Sequence, residues 1–186
     1  NLTGLMWTAD ANLMTTRDTG FDADGTSGDG AVTWLHALDY VAQLNAQAYL
    51  GHTDWRLPNI NEIESLVHAQ EPNTATWLNT QGFSSVQSDL YWSSTSVSAY
   101  TVFAWVVNMW SGDKYAGRKS MVTAYRSGDY YVWPVRSGQF GVAQLWETGQ
   151  TTCYDSSAGD VIACAGTGQD GDIQAGVSWP SPRFTV

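Results

Sequence analysis

Between Trp34 and Leu44 apolar residues return every three or four positions, at Trp34, Leu35, Leu38, Val41 and Ala42. That spacing predicts a helix, and Thr33 before it is a residue type that caps helix N-termini. A second helix is expected after Pro58, with Ile63, Leu66 and Val67 as its apolar stripe. Asn61 followed three residues later by Glu64 has the form of a capping box, and Pro58, excluded from a helix interior, fixes the entry. His68 is placed on the same helix, four residues after Glu64, where the two would touch. Beyond about Pro72 the helical period is lost. Tyr91–Thr95, Phe103–Met109 and Tyr130–Arg136 are rich in β-branched and aromatic residues and are bounded by Gly, Ser and Asp, as strands are. Leu2–Trp7 reads as a further strand. Two early helices beside a later antiparallel sheet give an α+β class.

From Ser137 onward the chain is Gly-rich and polar. Pro180 and Pro182 make its end extended. Residues 1–138 are taken as one domain and 139–186 as a tail. Within the tail, Cys153 and Cys164 flank a segment centred on Ser156-Ser157-Ala158-Gly159-Asp160, which is turn chemistry between two short arms. A disulfide closing a hairpin is one reading, and it needs an oxidising compartment. Two free buried thiols are the other.

The 186 residues suit one domain with a real core. No apolar run approaches the roughly 18 residues of a membrane span. No basic segment followed by an apolar one opens the sequence, so any signal peptide is expected to be already gone. The net charge of -10 repels nucleic acid and anionic membranes. Low total charge beside 18 Gly, 10 Trp and 9 Tyr suits an extracellular bacterial protein.

Five stretches carry a family resemblance: Asn1-Leu2-Thr3-Gly4-Leu5-Met6-Trp7, Asp54-Trp55-Arg56-Leu57-Pro58-Asn59-Ile60-Asn61-Glu62-Ile63-Glu64-Ser65-Leu66, Tyr91-Trp92-Ser93-Ser94-Thr95, Ala104-Trp105-Val106-Val107-Asn108 and Tyr131-Val132-Trp133-Pro134-Val135-Arg136. Together they resemble the bacterial Lcl C-terminal domain family, named after a collagen-like adhesin, over roughly residues 1–138. Arg56-Leu57-Pro58 before an acidic helix is also similar to the formylglycine-generating-enzyme branch of the C-type-lectin fold, which includes the variable binding proteins of diversity-generating retroelements. The resemblance implies a C-type-lectin-like fold, two helices packed on antiparallel sheets, and a role in binding or adhesion. Enzymes of that branch work through cysteines, and neither cysteine here lies in the matching portion, so their activity is not implied. In the family a stretch resembling Thr148–Thr185 usually precedes the Asn1–Trp7 motif, whereas here it follows. The chain thus reads as one period of a repeat cut inside a hairpin.

Catalytic signatures are absent: there is no zinc-protease, nucleophile-elbow or nucleotide-binding motif. No cofactor is expected. Asp22, Asp24 and Asp29 lie in a Gly-rich loop, where they are either solvated turn residues or a calcium site, although EF-hand spacing is not met. Arg56 and Arg136 are expected to pair with carboxylates or carbonyls. The aromatic and basic residues Tyr100, Trp110, Tyr115, Arg118, Lys119, Tyr125 and Arg126 lie on or between the late strands, the region that forms the ligand face in the variable-protein relatives. Tyr, Trp and Arg are the types that carry interface energy. Lys114, Arg118, Lys119 and Arg126 have no acid among them, whereas residues 1–55 hold seven acids and one base.

Two non-enzymatic, extracellular roles follow. One is a cell-surface binding module that grips a glycan or protein ligand through those late loops. The other is a filament subunit that binds copies of itself, with Arg183, Phe184, Thr185 and Val186 adding a strand beside Leu2 and Leu5 of the next copy. Packing of the tail on its own domain is the alternative to the second.

Overall fold

The computed structural model describes residues 3–21, 28–120, 122–123, 126–127, 129–138 and 145–181. The elements run in order as β1 (Leu5–Trp7), α1 (Leu13–Arg17), β2 (Ala31–Val32), α2 (Trp34–Ala46), α3 (Ile60–Glu64), α4 (Thr74–Leu78), β3 (Leu90–Ser96), β4 (Phe103–Asn108), β5 (Lys114–Arg118), β6 (Val122–Thr123), β7 (Arg126–Ser127), β8 (Tyr130–Tyr131), β9 (Val135–Ser137), β10 (Cys153–Tyr154), β11 (Val161–Ile162) and α5 (Asp170–Ile173). The class is α+β.

Helix α2 begins where the apolar period begins. Thr33 caps it, its hydroxyl accepting from the His36 amide, and Trp34, Ala37, Leu38, Val41 and Leu44 are buried along one face. The central sheet has the order β2-β8-β3-β4-β5 and is mostly antiparallel, with one parallel pair, Tyr91 opposite Tyr131. Both faces of this sheet are covered, which is why β3 is buried from Tyr91 to Ser96 rather than alternating. Trp92, Ala104 and Val106 pack under α2 with Trp34, Tyr40 and Leu44. Tyr91, Val107 and Met109 face the other way, onto Ile63 of α3, Leu78 of α4 and Trp133. At Gly117 of the edge strand β5 a Cβ would fall 2.6 Å from the Tyr130 ring and 2.8 Å from Trp92, so the aromatic layer requires glycine there.

The second helix differs from the sequence-based expectation. Its capping box is Asn59 with Glu62, not Asn61 with Glu64, and α3 starts directly behind Pro58. Arg56 explains the shift. Its guanidinium forks onto Glu62 at 2.6 and 2.7 Å, while Glu62 Oε2 also accepts from the Asn59 amide at 2.8 Å. One buried carboxylate thus closes the ion pair and the cap together. Helix α3 ends at Glu64, so His68 lies beyond it with its ring tilted against that of Trp77, while Glu64 pairs with Lys114 at 3.0 Å. The expected strand Tyr130–Arg136 is broken before Pro134 into β8 and β9, which belong to different sheets. Proline lacks the amide that a continuous ladder needs. Strand β9 pairs with β1 on one side and with Arg56 on the other. Three short helices, α1, α4 and α5, were not legible in the periodicity, because each is a single turn or little more.

Cys153 and Cys164 form a disulfide across the β10–β11 hairpin. Residues 145–181 are not extended throughout, since they include α5, and they pack on the same chain's sheet. The Gln150 side chain acts like a strand backbone, accepting from the Ser96 amide and donating to the Ser96 carbonyl. Asn59 and Asn61 donate to the Ala175 and Trp146 carbonyls. Arg183–Val186 and Leu2, expected to join neighbouring copies, lie outside the described residues.

Candidate functional site

The late aromatic residues divide along the edge of the sheet. Tyr100 is 67% exposed in the β3–β4 turn, Trp110 is 56% exposed in the β4–β5 turn, and Tyr115 is 48% exposed on β5. The two turns lie at opposite ends of β4, which at about 3.3 Å per residue separates them by about 17 Å. Tyr115 lies opposite Val106 and so projects to the α2 side. Arg118, exposed, lies opposite Phe103 and projects to the α3 side. The grouping inferred from the sequence is therefore a band along β5, the edge strand of this sheet among the described residues, and the turns at the two ends of β4, not one face. Tyr125 and the side chain of Arg126 lie outside the described residues.

Lys119 is a correction. Expected to read acidic groups on a ligand, it is fully buried. Its Nζ donates to Ser96 Oγ at 2.6 Å and lies 4.2 Å from the Trp34 ring centroid and 5.6 Å from that of Tyr154. Burial lowers its pKa to about 8, opposed by the negative charge of Asp155. Lys114 is engaged with Glu64. The basic strip seen in the sequence thus reduces, among the described residues, to Arg118. The mean charge of a segment says nothing about which of its long side chains turn inward.

A cleft of about 480 Å³ lies between the α3 side of the sheet and the tail. Trp105 and Ile60 form its wall on the domain side, and Trp179 and Tyr154 its wall on the tail side. Trp105 is half-buried, with one side packed against the core, whereas Trp55, Trp92 and Trp133 are buried. Trp179 is stacked on Trp146 at 4.6 Å, and its indole N–H donates to the Glu147 carbonyl. Behind the cleft, Asp170 is buried and accepts from Thr95 at 2.7 Å and Thr148 at 2.6 Å. Burial raises its pKa, and those two hydroxyls oppose the rise. Nothing in the periodicity pointed to this cleft, because the residues of its two walls are about 50 to 120 positions apart in the chain.

Asp29 accepts from the Ala31 amide with its carboxylate, as a turn residue does. Asp22 and Asp24 lie outside the described residues. No group of three or more His, Cys, Asp or Glu that could hold a metal occurs among the described residues, and no described helix is long and apolar enough to cross a membrane.

The five motifs thus belong to one folded unit: β1, the Arg56–Glu62 corner, β3, β4 and the β8–β9 segment. The model of the Lcl C-terminal domain matches residues 1–136. The chain belongs to the Lcl C-terminal domain family. No curated protein and no solved structure matches it. The family match ends within β9, and residues 145–181 with their disulfide lie outside it.

Proposed function

We propose that this Lcl-type domain is a secreted, non-enzymatic binding or adhesion domain with a C-type-lectin-like fold, recognising a glycan or protein at a cell surface. The observation that carries the reading is the exposure of Tyr115 on β5 and of Tyr100 and Trp110 in the turns at the two ends of β4. Exposed aromatic rings grouped on an edge are unfavourable in water unless a partner covers them. The disulfide fits an oxidising, extracytoplasmic setting. Replacing Trp110 and Tyr115 together by alanine is expected to abolish retention on glycan arrays and on cell-surface extracts, with the circular dichroism spectrum unchanged. Undiminished retention by the double variant would refute this reading.

A further inference from the structure

We infer that the cleft between the sheet and the tail is a binding site for a neutral saccharide, separate from the aromatic band on β5. The proposal does not depend on what that band binds.

Three aromatic rings bound the cleft, Trp105 from the sheet and Tyr154 and Trp179 from the tail. Two of them are held by contacts that leave little freedom. The Trp179 ring is stacked on Trp146 and tethered through its N–H, and the Tyr154 backbone is clamped at both its N–H and C=O by the Gln169 side chain. Between the rings, the polar groups fall into two sets. Thr95, Thr148 and Gln150 are engaged in holding the tail to β3. The side chains of Ser98, Glu147 and Thr151 line the same cleft and make no hydrogen bond or ion pair with the described residues.

Rigid aromatic platforms with a few free hydroxyl and carboxylate groups match a pyranose. Its C–H faces lie on rings, and its hydroxyls both donate to carboxylates and exchange bonds with Ser and Thr. The volume of about 480 Å³ suits one or two sugar rings. Charge selects against acidic sugars. Glu147 is the ionisable carboxylate lining the cleft, no described Lys or Arg lines it, and the whole chain carries -10.

The test titrates the full chain with neutral tetrasaccharides of glucose, mannose, galactose and N-acetylglucosamine, and with a heparin tetrasaccharide. Tryptophan fluorescence and amide NMR shifts are followed. At least one neutral sugar is expected to bind with a dissociation constant of about 0.01–1 mM, moving the amides of residues 149–152 and the Trp105 and Trp179 indoles. Glu147→Ala and Trp105→Ala are each expected to weaken binding about tenfold or more. Ser98→Trp, at an exposed position on the rim, is expected to block the cleft without touching the core, so a folding failure of Trp105→Ala leaves the test intact. Trp110→Ala should change nothing here. Absence of binding by the whole neutral panel up to about 10 mM overturns the proposal. So do unchanged affinity in Ser98→Trp and Glu147→Ala, shifts confined to Trp110 and Tyr115, and tighter binding of heparin in the cleft.

Discussion

Lys119 shows how one side chain can mislead when read from its neighbours. It stands between Arg118, exposed, and Ser120 in a stretch without acids, yet it is sealed under Trp34 with Ser96 as its hydrogen-bond acceptor. Its pKa is lowered from 10.5 to about 8 in the folded chain. Below that range Lys119 is protonated whether the chain is folded or not, and the full penalty of the buried charge is present. Between about 8 and 10.5 the unfolded chain binds the proton and the folded chain does not, so this group makes stability rise with pH across that window. Lys119→Met is expected to stabilise the fold by about 1–3 kcal/mol at pH 7 and to remove the rise. Guanidinium denaturation at a series of pH values checks both, and a less stable variant at pH 7 would mean that the Trp34 and Ser96 contacts outweigh burial. Asp170 works in the opposite sense. Its raised pKa makes the folded chain hold a proton that the unfolded chain releases, so acidification through that range adds stability. Asp170→Asn keeps an acceptor for Thr95 and Thr148 and is expected to be tolerated. Asp170→Ala leaves two hydroxyls without their acceptor and is expected to cost about 1–3 kcal/mol in urea unfolding.

Among the elements, legibility followed length. Helix α2, with three and a half turns of consistent period, was readable to its cap, and β3 and β4 were readable from their β-branched and aromatic content. The α3 cap was misplaced by two residues, because sequence spacing alone cannot tell which of Glu62 and Glu64 turns inward. Arg56 decides it, and Arg56 acts from outside the helix. The same limit hid the cleft, whose walls meet only in three dimensions. Glu62→Ala removes the partner of a buried guanidinium and half of a capping box, and is expected to destabilise by about 3–5 kcal/mol. Glu64→Ala, which breaks an ion pair whose two side chains are about one-third to one-half exposed, is expected to change stability by less than about 1 kcal/mol. Equal losses from the two variants in thermal melts would show that the buried network is not the stronger element.

At the scale of the whole molecule, the described residues of the tail join the family domain through side-chain bonds to backbone and through the Asp170 cluster, and among them no strand of the tail pairs with the central sheet. The disulfide spans 11 residues within it. Reduction is therefore expected to loosen residues 145–181 first, lowering their local stability by about 3 kcal/mol on loop-entropy grounds, while β3 and β4 keep their protection. Hydrogen exchange with and without reductant measures this, and simultaneous loss of protection in β3 and β4 would show that the two parts unfold as one.

The pairing of β1 with β9 carries a mechanical consequence. Leu5 lies opposite Ser137 and Trp7 opposite Val135, and a Cβ on Gly138 would fall 1.7 Å from the Gly4 carbonyl oxygen. The chain enters and leaves this unit at neighbouring points on the same side. A force that separates residues 4 and 138 would therefore peel the two strands apart rung by rung, rather than shear all their bonds together. Under such a pull the unit would yield at low load by giving up length, and would act in a tethered protein as an extensible link.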